Sequence, residues 1–224
     1  QAQLQANFTV DNASGCSPLS VKFTNTTTGK SAYTTWTWNL GNGNSSALFE
    51  PGATYRTEQK YTITLTAKDG ANTSVKSIDI FVYKKPTLDF SVSPASGCIP
   101  LLVSVTASAT AGDGNIAQYH WDYGDGKTEQ GVGFQKTSHT YTDPQTPPIT
   151  LTVTNSYGCY STLSKTNLIE VYDGVKASFT PSTLTVCNAG DNVTFTNTSI
   201  GTGTLTYLWE FGDGKTSTDQ SPNH

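Results

Sequence analysis

Methionine is absent from this chain, and charged side chains make up only 13 % of its 224 residues. Without methionine the sequence does not start at an initiator codon, so Gln1 is expected to be a processed or trimmed end. Removal of a signal peptide is the simplest cause. The charged share is about half the usual one, so Thr, Ser, Asn and Gln must cover the surface. A basic stripe is lacking too. The net charge is −4 and the pI near 5.2, which argues against nucleic acid as a partner. No apolar run is long enough to cross a bilayer as a helix, and no transmembrane segment is expected. No window carries an apolar stripe of helical period. Histidine is limited to three residues and cysteine to four. Neither His-x-x-x-His nor Cys-x-x-Cys occurs, and there is no Gly-x-Ser-x-Gly elbow or phosphate loop. No catalytic residue is assigned, and the chain is read as a non-enzyme.

What is present is repetition. One phrase occurs three times: Trp36-Thr37-Trp38-Asn39-Leu40-Gly41-Asn42-Gly43, Tyr119-His120-Trp121-Asp122-Tyr123-Gly124-Asp125-Gly126 and Tyr207-Leu208-Trp209-Glu210-Phe211-Gly212-Asp213-Gly214. Cys16, Cys98 and Cys187 keep step with it. The chain is therefore an array of one module of about 85 residues. Arrays of one small module usually extend, display or bind. Within the module, apolar and polar residues alternate, as in Leu19-Ser20-Val21-Lys22-Phe23, Tyr61-Thr62-Ile63-Thr64-Leu65 and Ile149-Thr150-Leu151-Thr152-Val153. Short alternating strands with turn signals between them indicate all-β antiparallel sandwiches. Aromatics at 11 % supply a core and exclude disorder. Cysteines in so polar a chain agree with an oxidising exterior.

The phrase Trp121-Asp122-Tyr123-Gly124-Asp125-Gly126, followed by Ser138-His139-Thr140-Tyr141-Thr142, resembles a PKD domain, the polycystic-kidney-disease repeat. Ser96-Gly97-Cys98-Ile99-Pro100-Leu101 and Tyr157-Gly158-Cys159-Tyr160 are similar to its common bacterial form. The resemblance covers essentially the whole chain and implies tandem immunoglobulin-like sandwiches used outside cells. Residues 1–84 and 85–174 form two modules, and 175–224 the front of a third. Such modules occur in surface adhesins, as accessories of secreted proteases and chitinases, and in repeat proteins of gliding Bacteroidota. The cysteine-bearing form is most similar to the last group, which implies type IX secretion.

The repeated residues have structural readings. Trp38, Trp121 and Trp209 fit a sandwich core better than a ligand platform, whereas Trp36 is a candidate surface aromatic because tyrosines replace it elsewhere. Gly41, Gly43, Gly124, Gly126, Gly212 and Gly214 fit a hairpin turn that needs positive φ. Asp122, Asp125 and Asp213 close such turns through their carboxylates. Calcium at Asp122 and Asp125 is the alternative, but Asn39 and Asn42 stand in those places in module one. No cofactor is required. The histidines are not kept in all three modules either: His139 aligns with Ala53 and with His224, and His120 with Thr37 and Leu208. Asn-x-Ser/Thr sequons at Asn7, Asn12, Asn25, Asn44, Asn72, Asn192 and Asn197 are attributed to composition.

Of the cysteines, Cys98 and Cys159 lie in one module and are expected to staple it. Closing about 60 residues would contribute roughly 4 kcal/mol in the chain-entropy model. Thr73 stands where module one would need a partner for Cys16, so Cys16 and Cys187 are read as free thiols. A Cys16–Cys187 bond would have to span module two. Function is read as a stalk, spacer or adhesive array of a secreted or cell-surface protein. Its partners would be other extracellular domains of the same polypeptide, and surface polysaccharide or protein. The rival reading is a polysaccharide- or protein-binding accessory of a secreted hydrolase. Module three contains no counterpart of Tyr61–Leu65 or Ile78–Val82, so the native polypeptide is expected to continue past His224, or another chain to donate the missing strands.

Overall fold

Alternation along the sequence becomes alternation of burial in the computed structural model, which describes residues 3–188 and 190–224. All regular elements among them are β-strands. The first repeat holds β1 (Phe8–Val10), β2 (Ser14–Cys16), β3 (Leu19–Asn25), β4 (Thr35–Asn39), β5 (Ser45–Ser46), β6 (Gly52–Tyr55), β7 (Lys60–Asp69) and β8 (Asn72–Tyr83). The second holds β9 (Thr87–Ser93), β10 (Ser96–Cys98), β11 (Leu101–Thr110), β12 (Ile116–Asp122), β13 (Thr128–Gly131), β14 (Lys136–Tyr141), β15 (Ile149–Asn155), β16 (Tyr160–Lys165) and β17 (Glu170–Tyr172). The third has β18 (Phe179–Pro181), β19 (Phe195–Asn197), β20 (Trp209–Glu210) and β21 (Thr216–Ser217).

In the first repeat one sheet runs β1-β3-β6 and the other β2-β8-β7-β4-β5. Every second residue of β3 points inward, so Leu19, Val21 and Phe23 are buried while Ser20 and Lys22 face solvent. Ile63, Leu65 and Ala67 do the same from β7. Trp38 lies fully buried among them, edge-on to Phe8 at 4.9 Å and stacked on Phe23 at 5.6 Å. The second repeat has the orders β13-β12-β15-β16, β14-β11-β9 and β10-β17. Its Trp121 meets Phe90 edge-on at 5.3 Å.

The chain gathers into two compact units that do not follow the repeat. One contains Gln1–Ser91 with Thr106–Thr137 and Ile149–Ser164; the other contains Val92–Val105, Ser138–Pro148 and Lys165–His224. The first repeat thus groups with the four-stranded sheet of the second, because their joint is densely bonded.

Tyr55 anchors the end of β6. Its hydroxyl donates to the Leu40 carbonyl at 2.8 Å, and its ring lies 4.5 Å from that of Tyr61. Burial, and secondly the neighbouring Tyr61, push its pKa up from 10.0 to about 12. The neutral phenol is the form the fold favours, so its contribution is complete below the unfolded value of 10.0 and is lost as pH rises through about 12. Spectrophotometric titration should therefore show a late-ionising component that includes Tyr55, with Tyr119 and Tyr172 also raised, and stability falling over that window. Tyr55→Phe should diminish this component.

Candidate functional site at the joint between the first two repeats

The glycine turns recur in all three repeats. Gly41, Gly43, Gly124, Gly126, Gly212 and Gly214 all have φ between 73° and 87°, a region costly for other residues. Side-chain oxygens close the turns on their own backbone. Asn39 accepts from Gly41 N at 2.9 Å, Asn42 from Asn44 N at 3.1 Å, Asp122 from Gly124 N at 2.9 Å and Asp125 from Lys127 N at 3.1 Å. Asp213 accepts from Lys215 N at 3.0 Å, and that bond leads the causes holding its carboxyl below the ordinary value. Among the described residues no three His, Cys, Asp or Glu side chains cluster as metal ligands would.

The two glycines of one turn differ in kind. A Cβ on Gly41 would stand 2.7 Å from the Thr62 carbonyl oxygen, whereas one on Gly43 would meet nothing within 4 Å. Gly43→Ala should cost about 1–2 kcal/mol for its positive φ alone. Gly41→Ala should cost clearly more, because backbone must move. Paired urea melts check the difference; equal midpoints would contradict it.

The aromatic candidates separate. Trp38 and Trp121 are fully buried, and their Nε1 atoms donate to Leu48 O at 2.9 Å and Phe134 O at 2.7 Å. Trp209 also donates, to Asp219 O at 2.9 Å, and packs on Phe179 and Phe195, but it is only half-buried. It stands on an open face rather than in a closed core, because among the described residues β20 pairs with β21 alone. Trp36 is half-buried, edge-on to Phe49 at 5.3 Å, and Lys30 Nζ lies 4.7 Å from the Phe49 ring centre. His224 stacks on Phe211 at 4.1 Å with Nε2 3.1 Å from Asp213, and His139 meets Tyr141 edge-on.

The disulfide departs from the sequence expectation. Cys159 is bonded to Cys16, with Cα atoms 5.5 Å apart, and not to Cys98; Cys98 and Cys187 are the exposed free cysteines. Strand length explains why the pairing within one repeat fails. Cys16 lies opposite Tyr83, at the end of β8, while Thr73, in the place of Cys159, lies near its start. Ten residues of extended strand separate these points by about 33 Å, far beyond the roughly 7 Å that a disulfide can span. The repeat alignment itself survives: Cys98 lies opposite Tyr172 just as Cys16 lies opposite Tyr83.

Around this bond the joint is built from both repeats. Tyr83 stacks on Tyr157 with ring centres 3.9 Å apart and planes 10° from parallel. Asn155 is almost wholly buried and uses its full hydrogen-bonding capacity. Its Nδ2 donates to Lys84 O at 3.1 Å and Ala111 O at 3.0 Å, and its Oδ1 accepts from Tyr157 N at 3.1 Å and Cys159 N at 3.0 Å. Lys84 N donates to Asp113 Oδ2 at 2.7 Å, and Ser161 Oγ donates to Pro86 O at 2.7 Å. A groove of about 320 Å³ beside these contacts is lined by Glu58, Lys60, Phe81, Tyr83, Asp113 and Tyr157.

Asp113 and the Tyr83–Tyr157 pair carry no motif in the sequence, since each works across a repeat boundary, and the same holds for the one Asn155 bond that leaves repeat two, to Lys84 O. One signal for the disulfide was present. Repeat one has Cys16 but Thr73 in place of Cys159, so pairing each repeat with the next leaves repeat one no unmatched cysteine.

The PKD domain family matches residues 3–82, 83–171 and 176–224. The N-terminal eight Ig domains of Down Syndrome Cell Adhesion Molecule superpose with a TM-score of 0.60 at 12 % identity, covering 92 % of this chain. This chain spans 28 % of the length of that one. A three-Ig variant fragment of titin gives 0.49 at 14 % identity, over 97 % of this chain and 83 % of that one. Fibronectin(III)-like modules of Clostridium thermocellum CbhA give 0.42 at 12 % identity, over 75 % and 94 %. At these identities likeness concerns fold alone. Sequence families and sheet topology agree, and the chain belongs to the PKD domain family, as three tandem segments of immunoglobulin-like β structure.

Proposed function

We propose that this chain is a spacer stretch of an extracellular or cell-surface protein, with PKD repeats held in fixed succession to carry another domain away from its anchor. The observation that supports the reading is the first joint. A tether that bends freely needs an unencumbered link. Here residues 84–86 are held by Asp113, Asn155 and Ser161, and the repeats share a disulfide. A disulfide suits an oxidising exterior, and a polar surface with little charge limits nonspecific attachment. Tandem PKD segments are ordinarily non-catalytic, and the partners in this reading are other domains of the same polypeptide. Export by a type IX route, which the resemblance to gliding-Bacteroidota proteins implies, belongs to the same proposal.

One observation favours the accessory-module reading: Tyr33 is exposed, and Phe49 and Trp36 present aromatic surface under Lys30. Pull-down against chitin, cellulose and collagen separates the two. The spacer stays in the supernatant. Retention that Trp36→Ala abolishes would replace the spacer reading with a binding one. A structural calcium at Asp122 and Asp125 is a subordinate proposal, and a melting midpoint unmoved by a chelator removes it.

A further inference from the structure

We propose that Asn42 is a site of spontaneous covalent modification. In the folded protein its side-chain amide is lost as ammonia, and the first glycine turn passes from Gly-Asn-Gly to the Gly-Asp-Gly of the other two repeats. The change goes beyond the spacer reading and does not depend on it.

Five asparagines fold back on their own backbone in the same way, each Oδ1 accepting from the amide two residues on. Asn25 accepts from Thr27 N at 3.1 Å, Asn39 from Gly41 N at 2.9 Å and Asn42 from Asn44 N at 3.1 Å. Asn155 accepts from Tyr157 N at 3.1 Å and Asn197 from Ser199 N at 2.9 Å. Such a bond draws the carboxamide over the intervening peptide, whose nitrogen can attack Cγ and close a five-membered ring.

In four of the five that nitrogen is already engaged. Thr26 N donates to Asn7 O at 2.9 Å, Leu40 N to Asn44 O at 3.0 Å, Ser156 N to Asn115 O at 2.8 Å and Thr198 N to Ser178 O at 2.8 Å. Gly43 N, which follows Asn42, donates to no backbone carbonyl among the described residues. A hydrogen bond on the attacking nitrogen slows it by up to about tenfold, before the bulk of a Thr, Leu or Ser side chain is counted. Gly43 has no side chain, is exposed, and a Cβ built on it would meet nothing within 4 Å. Asn42-Gly43 is also the one Asn-Gly step in the sequence.

The reaction needs water alone. Gly43 N bonds to Asn42 Cγ while the Asn44 N–H, already donating to Oδ1, stabilises the negative charge that gathers on that oxygen. The Cγ–Nδ2 bond breaks, and Nδ2 leaves as ammonia with the proton of Gly43 N. Water then opens the cyclic imide at Cγ: the new C–N bond breaks, Gly43 N regains a proton, and the acid proton passes to ammonia. The carboxylate has a place prepared for it. Asp125 and Asp213 stand where Asn42 does and make the same bond, to Lys127 N at 3.1 Å and Lys215 N at 3.0 Å.

The test incubates the whole oxidised chain in its folded state and follows it by isoelectric focusing and by peptide mapping with fragmentation. A species one charge more acidic should accumulate, with Asn42 converting at least about tenfold faster than Asn25, Asn39, Asn155 or Asn197. Any of those four converting first overturns the proposal, as does conversion of Asn42 only in a urea-unfolded control. Asn42→Gln should abolish the acidic species; its persistence would also overturn the assignment. Asn42→Asp should melt at the wild-type urea midpoint, and a clearly lower midpoint would show that the turn does not accept the product.

Discussion

Trp121→Ala is expected to destabilise the second repeat by about 3–5 kcal/mol, while Trp209→Ala should cost the third markedly less. Trp121 is fully buried, edge-on to Phe90, and its loss would leave the Phe134 carbonyl without a donor. Truncation there removes apolar burial, an aromatic pair and a part-buried hydrogen bond together. Trp209 makes the corresponding donation to Asp219 O, but water already reaches part of its ring. Urea melts of the two variants check the contrast. Similar losses would mean that the third repeat closes its core in solution.

Breaking the Cys16–Cys159 bond should change how the first two repeats melt more than whether they fold. If both unfolded as one body, a loop of 143 residues would contribute roughly 5 kcal/mol in the chain-entropy model. If they unfold separately, the bond mainly restrains the joint. We expect the oxidised chain to show one calorimetric transition for the first compact unit, and the Cys16→Ser/Cys159→Ser variant to split it into two. The reduced wild type should match the variant. Identical thermograms would show that the Tyr83 stack and Asn155 couple the repeats without the sulfur bond.

The strands were legible because each buries one face, so Leu19-Ser20-Val21-Lys22-Phe23 and Ile149-Thr150-Leu151-Thr152-Val153 state their own orientation. The turns were legible because positive φ demands glycine at Gly41 and Gly43, and Asn or Asp beside them has a local partner. What could not be read is whatever joins different repeats. Asn155 contacts Lys84 across 71 positions, and nothing in either residue's neighbourhood specifies that meeting. Cys159 belongs to both classes. Its turn was visible, but its partner depends on which end of a long strand faces the next repeat.

The position of the sulfur bond has a mechanical consequence. Tension entering ahead of Cys16 and leaving after Cys159 crosses directly through that bond. The chain between the two cysteines, which stand 143 positions apart, is then outside the load path, and roughly 500 Å of extended chain is withheld from stretching. Pulled from its ends, the oxidised protein would lengthen by its third repeat, the tail of its second and the segment ahead of Cys16 that carries β1, and no strand from β3 to β15 would be extended until the bond was reduced.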